Sequence, residues 1–322
     1  MRFMRYGRSA GVAALFVAVA LTACGRRQPV EVADITPSFE INRTRVPLGS
    51  AVEVTYTWTV GAGFQPLEGE HRALVHFLDS HEVMLFEDDH VPEPPPSEWQ
   101  AGQTYTYRRT KFIPIYPYVG DVEVRTGLYP AGGRGERVPL EGEDAGLREY
   151  VVGRIELLPQ TENIFLVYKD GWHNPEALPD NPSLERTWTK REAVVSFKNP
   201  GQDAIVYLEA DTNFKAFQSP PVLTVSVGET AVAIPIENSE VFLRKIRLGK
   251  DVLGSEEWVD LKLSMSESFV PKEVGLNQDD RELGLLAYHL YVGEESELGG
   301  ALGEVIDAGA PADPEGEEPA AE

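Results

Sequence analysis

Between residues 51 and 60 the chain reads AVEVTYTWTV, in which Val52, Val54, Tyr56 and Trp58 alternate with Glu53, Thr55, Thr57 and Thr59. A two-residue period puts the two sets on opposite faces, so this stretch is a strand with one buried side. RALVHFLD (72–79) is apolar on both faces and reads as a central strand, and TYTYRRTKF (104–112) and DVEVRTGLY (121–129) continue the series. Gly61 and Gly63, the run from Pro92 to Pro96, and Gly132-Gly133 punctuate it as turns. A second series follows: AVVSFKN (193–199), DAIVYLEA (203–210), VLTVSVG (222–228), TAVAIPI (230–236), VFLRKIRL (241–248) and WVDLKLSM (258–265). Short strands at this spacing predict an all-β chain of two antiparallel β-sandwiches, over 34–153 and 162–293. PSLERTW (182–188) offers one helical turn. The last apolar run, Leu283 to Val292, predicts a closing strand with Leu283, Leu285, Ala287, His289 and Tyr291 on one face.

Both ends break the pattern. Arg2, Arg5 and Arg8 precede AGVAALFVAVAL (10–21), an apolar run too short to span a bilayer but suited to a cleavable export signal. It leads into Leu21-Thr22-Ala23-Cys24, and Cys24 is the only cysteine of the chain. This resembles the lipobox of bacterial lipoproteins. The resemblance implies a signal peptide over 1–23, a diacylglycerol on Cys24, a short tether over 24–33, and a protein held to a membrane by that lipid. Gly25 after the cysteine leans towards the outer membrane of the envelope. At the other end, residues 294–322 carry ten acids, no Lys or Arg, and no aromatic residue. Such a composition predicts a disordered acidic tail.

The formal net charge is −23. An acidic surface repels phosphate backbones, so nucleic acid is excluded as a partner. With Cys24 as the anchor no disulfide remains, and each sandwich must rest on its apolar core.

Within the first series, Asp89-His90, the Pro-rich loop, Trp99, Gly102, Gly120 and Gly127-Leu128-Tyr129 come in an order that resembles immunoglobulin-like domains appended to bacterial envelope glycosyltransferases. In the second, Gly171-Trp172, Glu176, Trp188-Thr189, Phe269-Val270-Pro271 and Asp279-Asp280-Arg281-Glu282-Leu283-Gly284 resemble an accessory module of the same setting, a jelly roll similar to galactose-binding-like domains. The resemblance implies an accessory role in polysaccharide assembly and no reaction.

His71, His76, His81 and His90 fall close together with Asp79, Asp88 and Asp89, a loose set for zinc or calcium. The paired-histidine helix signature of metalloproteases is missing, His76 reads as a mid-strand residue, and no metal or other cofactor is expected. Trp99, Trp172 and Trp188 could offer indole faces to a sugar ring, and Trp172, in a polar Gly- and Pro-rich loop, is the best placed, with Glu176 and Trp188 beside it as ligand-binding candidates. Serine-elbow and phosphate-loop motifs are absent, so no catalytic residue is assigned. Asp279, Asp280 and Arg281 read as a turn that closes the fold. The sequence therefore predicts a non-catalytic envelope lipoprotein whose partner is a surface polysaccharide or an envelope protein. A hydrolase with a carboxylate pair and a structural subunit bound through sheet edges are the alternatives.

Overall fold

The computed structural model describes residues 32–133, 135–178, 184–298 and 302–309. Cys24 with its signal and tether, and residues 310–322 of the tail, lie outside them.

Nine strands form the first sandwich: β1 (Ile35–Ile41), β2 (Arg45–Pro47), β3 (Ala51–Val60), β4 (His71–Leu78), β5 (Met84–Glu87), β6 (Thr104–Phe112), β7 (Gly120–Pro130), β8 (Glu143–Asp144) and β9 (Tyr150–Leu158). One sheet runs β1-β3-β6 and the other β2-β9-β7-β4-β5, with β8 on β9. As the alternation in 51–60 requires, Val52, Val54, Tyr56 and Trp58 enter the core, where they meet Ala73, Val75 and Phe77 of β4. Each large side chain buried there contributes roughly 2–3 kcal/mol. β9 passes the expected boundary at 153 and ends at Leu158.

Eleven strands form the second: β10 (Leu166–Tyr168), β11 (Glu176–Ala177), β12 (Glu185–Trp188), β13 (Glu192–Lys198), β14 (Ala204–Asp211), β15 (Val222–Val227), β16 (Thr230–Pro235), β17 (Phe242–Leu248), β18 (Trp258–Met265), β19 (Leu286–Glu294) and β20 (Ile306–Asp307). The sheets are β10-β13-β18-β15-β16 and β11-β12-β19-β14-β17-β20. From β12 to β15, and again from β17 to β19, consecutive strands alternate between them, the jelly-roll pattern. Two short pairs, β2 with β9 and β17 with β20, are parallel; all the others are antiparallel.

Three local expectations change. Glu185–Trp188 is a strand, because Trp188 and Thr187 pair with β19 instead of closing a helical turn. The shared face expected from Leu283 to Tyr291 is broken by an irregularity opposite Glu209 and Ala210, where the partner residue steps from His289 to Ala287. One inserted residue exchanges the two faces of a strand. Leu285 and Ala287 enter the core before it and Leu290 and Val292 after it, which turns His289 and Tyr291 towards the first sandwich. The acidic segment from 294 is also not wholly a tail: its described residues carry a helical turn at Glu295–Leu298 and β20, which pairs with β17.

That segment covers the seam between the sandwiches. Ala51 of β3 and Phe112 of β6 meet Ile205, Tyr207 and Tyr291, and Leu298, Leu302 and Val305 close over them. Their few apolar side chains supply the burial that the acidic composition conceals. Phe112 stacks on His289 with ring centroids 4.2 Å apart. Lys245 Nζ lies 2.7 Å from Glu53 Oε1, with the glutamate buried and the lysine largely so, and it also donates to the Leu302 carbonyl. No helix among the described residues is long and apolar enough to cross a membrane.

Candidate functional site

The signature residues of the second sandwich converge on one another. Gly171 has φ +88°, and a Cβ there would sit 1.9 Å from the Glu192 carbonyl oxygen. Its own carbonyl accepts from Lys190 N–H at 2.7 Å. Trp172 pairs with Thr189, donates from Nε1 to the Val194 carbonyl at 2.8 Å, and meets Tyr168 edge-on at 4.7 Å. Thr189 binds the far end of the motif: its Oγ1 accepts Leu285 N–H and its carbonyl accepts Gly284 N–H. A Cβ on Gly284 would stand 2.5 Å from the Lys190 carbonyl oxygen.

Arg281 bridges the loops. Its Nη2 lies 2.7 Å from Glu176 Oε1 and 2.7 Å from Asp279 Oδ2. The guanidinium hydrogen bond holds the Asp279 carboxyl down to about 2, and Asp279 Oδ1 accepts Arg281 N–H to shape the turn. Of the three ligand candidates, Glu176 is therefore tied to Arg281, Trp188 is half-buried edge-on against Phe269, and Trp172 is half-buried against the core. Trp99 is buried and stacked on Tyr105.

The exposed aromatic pair lies elsewhere in the same sandwich. Trp258 opens β18 opposite Lys198 of β13, and Lys198 N–H donates to the Phe165 carbonyl at 3.1 Å. Phe165 and Trp258 thus flank Lys198, with ring centroids 6.2 Å apart at 76°. They are 64% and 41% exposed. Val259, Leu261 and Leu263 point into the core, so Trp258, Asp260 and Lys262 share the outer face. Asp260 accepts from Lys169 Nζ at 2.8 Å and from the Ser196 hydroxyl, and these bonds, Lys169 first, hold its carboxyl below the ordinary value. In the sequence this ledge shows only as an aromatic residue at a strand's first position.

In the first sandwich the histidines separate. His90 is buried in the core, His71 is buried with Nδ1 on the Gly69 carbonyl, and His81 is exposed on a turn capped by Asp79. Asp88 pairs with Arg109 and Lys111. His76 and Asp89 stay together on the outer face of β4, since Ala73, Val75 and Phe77 fill the core side. They are joined by Glu87, which stands opposite His76 in the β4–β5 register. A cavity of ≈ 290 Å³ opens beside them, lined by residues including Leu74, His76, Asp89, Tyr129 and Arg137.

No protein-family model and no curated protein matches the chain. Among solved structures it is similar to a family GH115 4-O-methyl-α-glucuronidase with specificity for decorated arabinogalactans, at 15% identity and TM-score 0.29 over 41% of this chain and 18% of that one. It is also similar to the alkylpurine DNA glycosylase AlkC of Pseudomonas fluorescens, at 14% identity and TM-score 0.21 over 39% and 30%. The chain thus matches less than a third of the length of either protein, and likenesses this slight carry no argument about its activity.

Proposed function

We propose that the chain is a non-catalytic, lipid-anchored binding module of a bacterial envelope, which holds a surface polysaccharide against the outer face of its second sandwich. The observation that carries this reading is the ledge of Phe165 and Trp258 beside Asp260 and Lys169. Two large aromatic rings left exposed side by side cost hydration free energy that a partner recovers. A pyranose presents apolar C–H faces for such rings, and its hydroxyls match the carboxylate and ammonium alongside. Trp172 supports the reading indirectly, through its Nε1 bond to the Val194 carbonyl of β13 in this sheet, whereas Glu176 and Trp188 belong to strands of the opposite sheet. The lipid on Cys24 would keep the module at the membrane.

A glycan array probed with the full chain tests it, followed by titration of the glycan bound. Trp258→Ala and Phe165→Ala should each weaken binding about tenfold without changing the melting temperature. Binding to no glycan, or affinity unchanged from the parent in both variants, overturns the reading.

A further inference from the structure

His76 is oriented as a metal-binding imidazole is. Its Nδ1 lies 3.3 Å from Glu149 Oε1, and that same oxygen accepts from Arg137 Nη1 at 2.6 Å. With Nδ1–H donated to Glu149, the lone pair of Nε2 faces the other way, towards Asp89 Oδ1 at 4.0 Å. A carboxylate behind the imidazole, fixing its tautomer and raising its basicity, is the usual outer partner of a histidine ligand.

The strand geometry supplies the rest. Glu87 and Asp89 are two residues apart in extended chain, so both project to the face of His76. One atom each from His76, Glu87 and Asp89 lies within 4.8 Å of the others. Asp89 is pre-positioned: Oδ1 accepts Val75 N–H at 2.9 Å, and Oδ2 accepts the Tyr129 hydroxyl at 3.1 Å. Both oxygens keep a lone pair. Among the described residues no Lys or Arg forms an ion pair with the carboxylate of Glu87 or Asp89. Of the nearby cations, Arg137 is neutralised by Glu149 and Arg125 by Glu123 and Glu82. Arg72 donates to the Asp89 main-chain carbonyl at 3.1 Å and to the Tyr129 hydroxyl at 3.2 Å, and pairs with neither carboxylate. Two unpaired carboxylates and an aimed imidazole nitrogen form an electronegative nest on a protein whose field already favours cations.

We propose that His76, Glu87 and Asp89 bind one divalent transition-metal ion of the zinc class, with Glu149 orienting the imidazole and the adjoining cavity leaving coordination positions open to a ligand. At metal–ligand distances of about 2.0–2.2 Å the three donors must draw together by roughly an ångström, and the exposed Glu87 has the freedom to do so. The imidazole selects zinc over calcium or magnesium, which prefer all-oxygen sites. The site is in the other sandwich from the aromatic ledge, so it stands or falls apart from the glycan reading.

Titration of the full chain with zinc chloride at pH 7.5, against a chromophoric chelator, tests the assignment. One equivalent should bind. His76→Ala should abolish that equivalent, and Glu87→Gln, at an exposed position that leaves the fold alone, should weaken it at least tenfold. Glu149→Gln should weaken it about 10–100-fold through the imidazole alone. Cobalt(II) should give visible absorption bands that vanish in His76→Ala. Absence of zinc uptake by the unmodified chain, or unchanged affinity in both His76→Ala and Glu87→Gln, overturns the site. Displacement of zinc by excess calcium overturns its class.

Discussion

The two sandwiches are filled by different chemistry. In the second, the buried cluster is Val195, Val206, Leu208, Leu223, Ile246, Leu261, Leu263 and similar aliphatics, with Phe197 its one buried aromatic. The first holds Tyr56, Trp58, Phe77, Phe86, Trp99, Tyr107 and Tyr150, and a polar chain runs through it. His90 donates from Nδ1 to the Asp88 carbonyl at 2.6 Å and accepts at Nε2 from the Tyr107 hydroxyl at 2.7 Å. Tyr107 in turn accepts from Trp58 Nε1, while Tyr56 and Arg109 donate to the Asp88 carboxylate. Among the described residues the buried carboxylates and histidines, Glu53, His71, Asp88, His90 and Glu149, belong to the first sandwich, whereas the second buries Thr189, Ser196 and Thr212, with Tyr207 and Tyr291 at the seam. An aliphatic core tolerates exchange of one shape for another. A hydrogen-bonded one demands every partner, because an orphaned buried group keeps its full desolvation cost.

Removing Asp88 is the severest way to break that comparison. Burial alone would raise its carboxyl, but Lys111 and Arg109 outweigh burial and hold it below the ordinary value, so it is charged at neutral pH. Asp88→Ala strands the Tyr56 hydroxyl and the Arg109 guanidinium together, and should lower stability by about 4 kcal/mol. Leu263→Met, a near-isosteric exchange in the second core, should cost less than about 1.5 kcal/mol. Urea unfolding of the two variants measures both; equal costs would erase the distinction between the cores.

Acid should separate the sandwiches next. Burial lowers the pKa of His90 below its ordinary 6.5. The unfolded chain therefore takes up that proton more readily than the folded one. The stability His90 contributes is fully present above pH 6.5 and is lost as pH falls below it. Among the described residues no histidine is buried in the second core. Hydrogen exchange at pH 7 and pH 5.5 should show β3 and β6 opening more easily at the lower pH and β13 and β18 unchanged. The comparison needs a His76→Gln background, because the hydrogen bond to Glu149 raises the His76 pKa and its contribution runs in the opposite sense. Unchanged protection of β3 and β6 would remove His90 from the account.

These differences show what one sequence can disclose. Periodicity located eleven strands, β19 among them, since burial of alternate residues is a local property of each. It passed over β1, β5, β9 and β20, whose pairing depends on distant partners, and it misassigned the faces of β19 because a bulge opposite Glu209 leaves no mark in the pattern. The polar chain of the first core was half legible: Trp58 reads as core, but nothing in the spacing of Tyr107, His90 and Asp88 says that they meet. Glu87 went unnoticed as a companion of His76 for the same reason, a register that only the folded sheet fixes. For the ledge, exposure and not residue type was the missing information. The motif residues Gly171, Trp172, Glu176, Arg281 and Gly284 were legible as a set, and the structure gives them a common place.

That common place yields the smallest predicted effect and the one that best sharpens the contrast. The second sandwich, lacking a buried polar chain, is closed at one end by Arg281, which joins Glu176 of β11 to Asp279 across the loop before β19. The guanidinium is about a third exposed, so solvent screens most of its attraction for the two carboxylates. Arg281→Ala should cost about 1 kcal/mol, well short of Asp88→Ala, and leave glycan affinity at Phe165 and Trp258 unaltered. In acid the clamp should fail later than His90, because the depressed carboxyl of Asp279 gives stability present above its ordinary 3.8 and lost as pH falls towards about 2. Thermal melts of the parent and Arg281→Ala at pH 7 and pH 2.5 should therefore differ at the first pH and differ less at the second. A difference undiminished at pH 2.5 would mean that Arg281 acts through packing of its stem against the loop, and not through the carboxylates of Asp279 and Glu176.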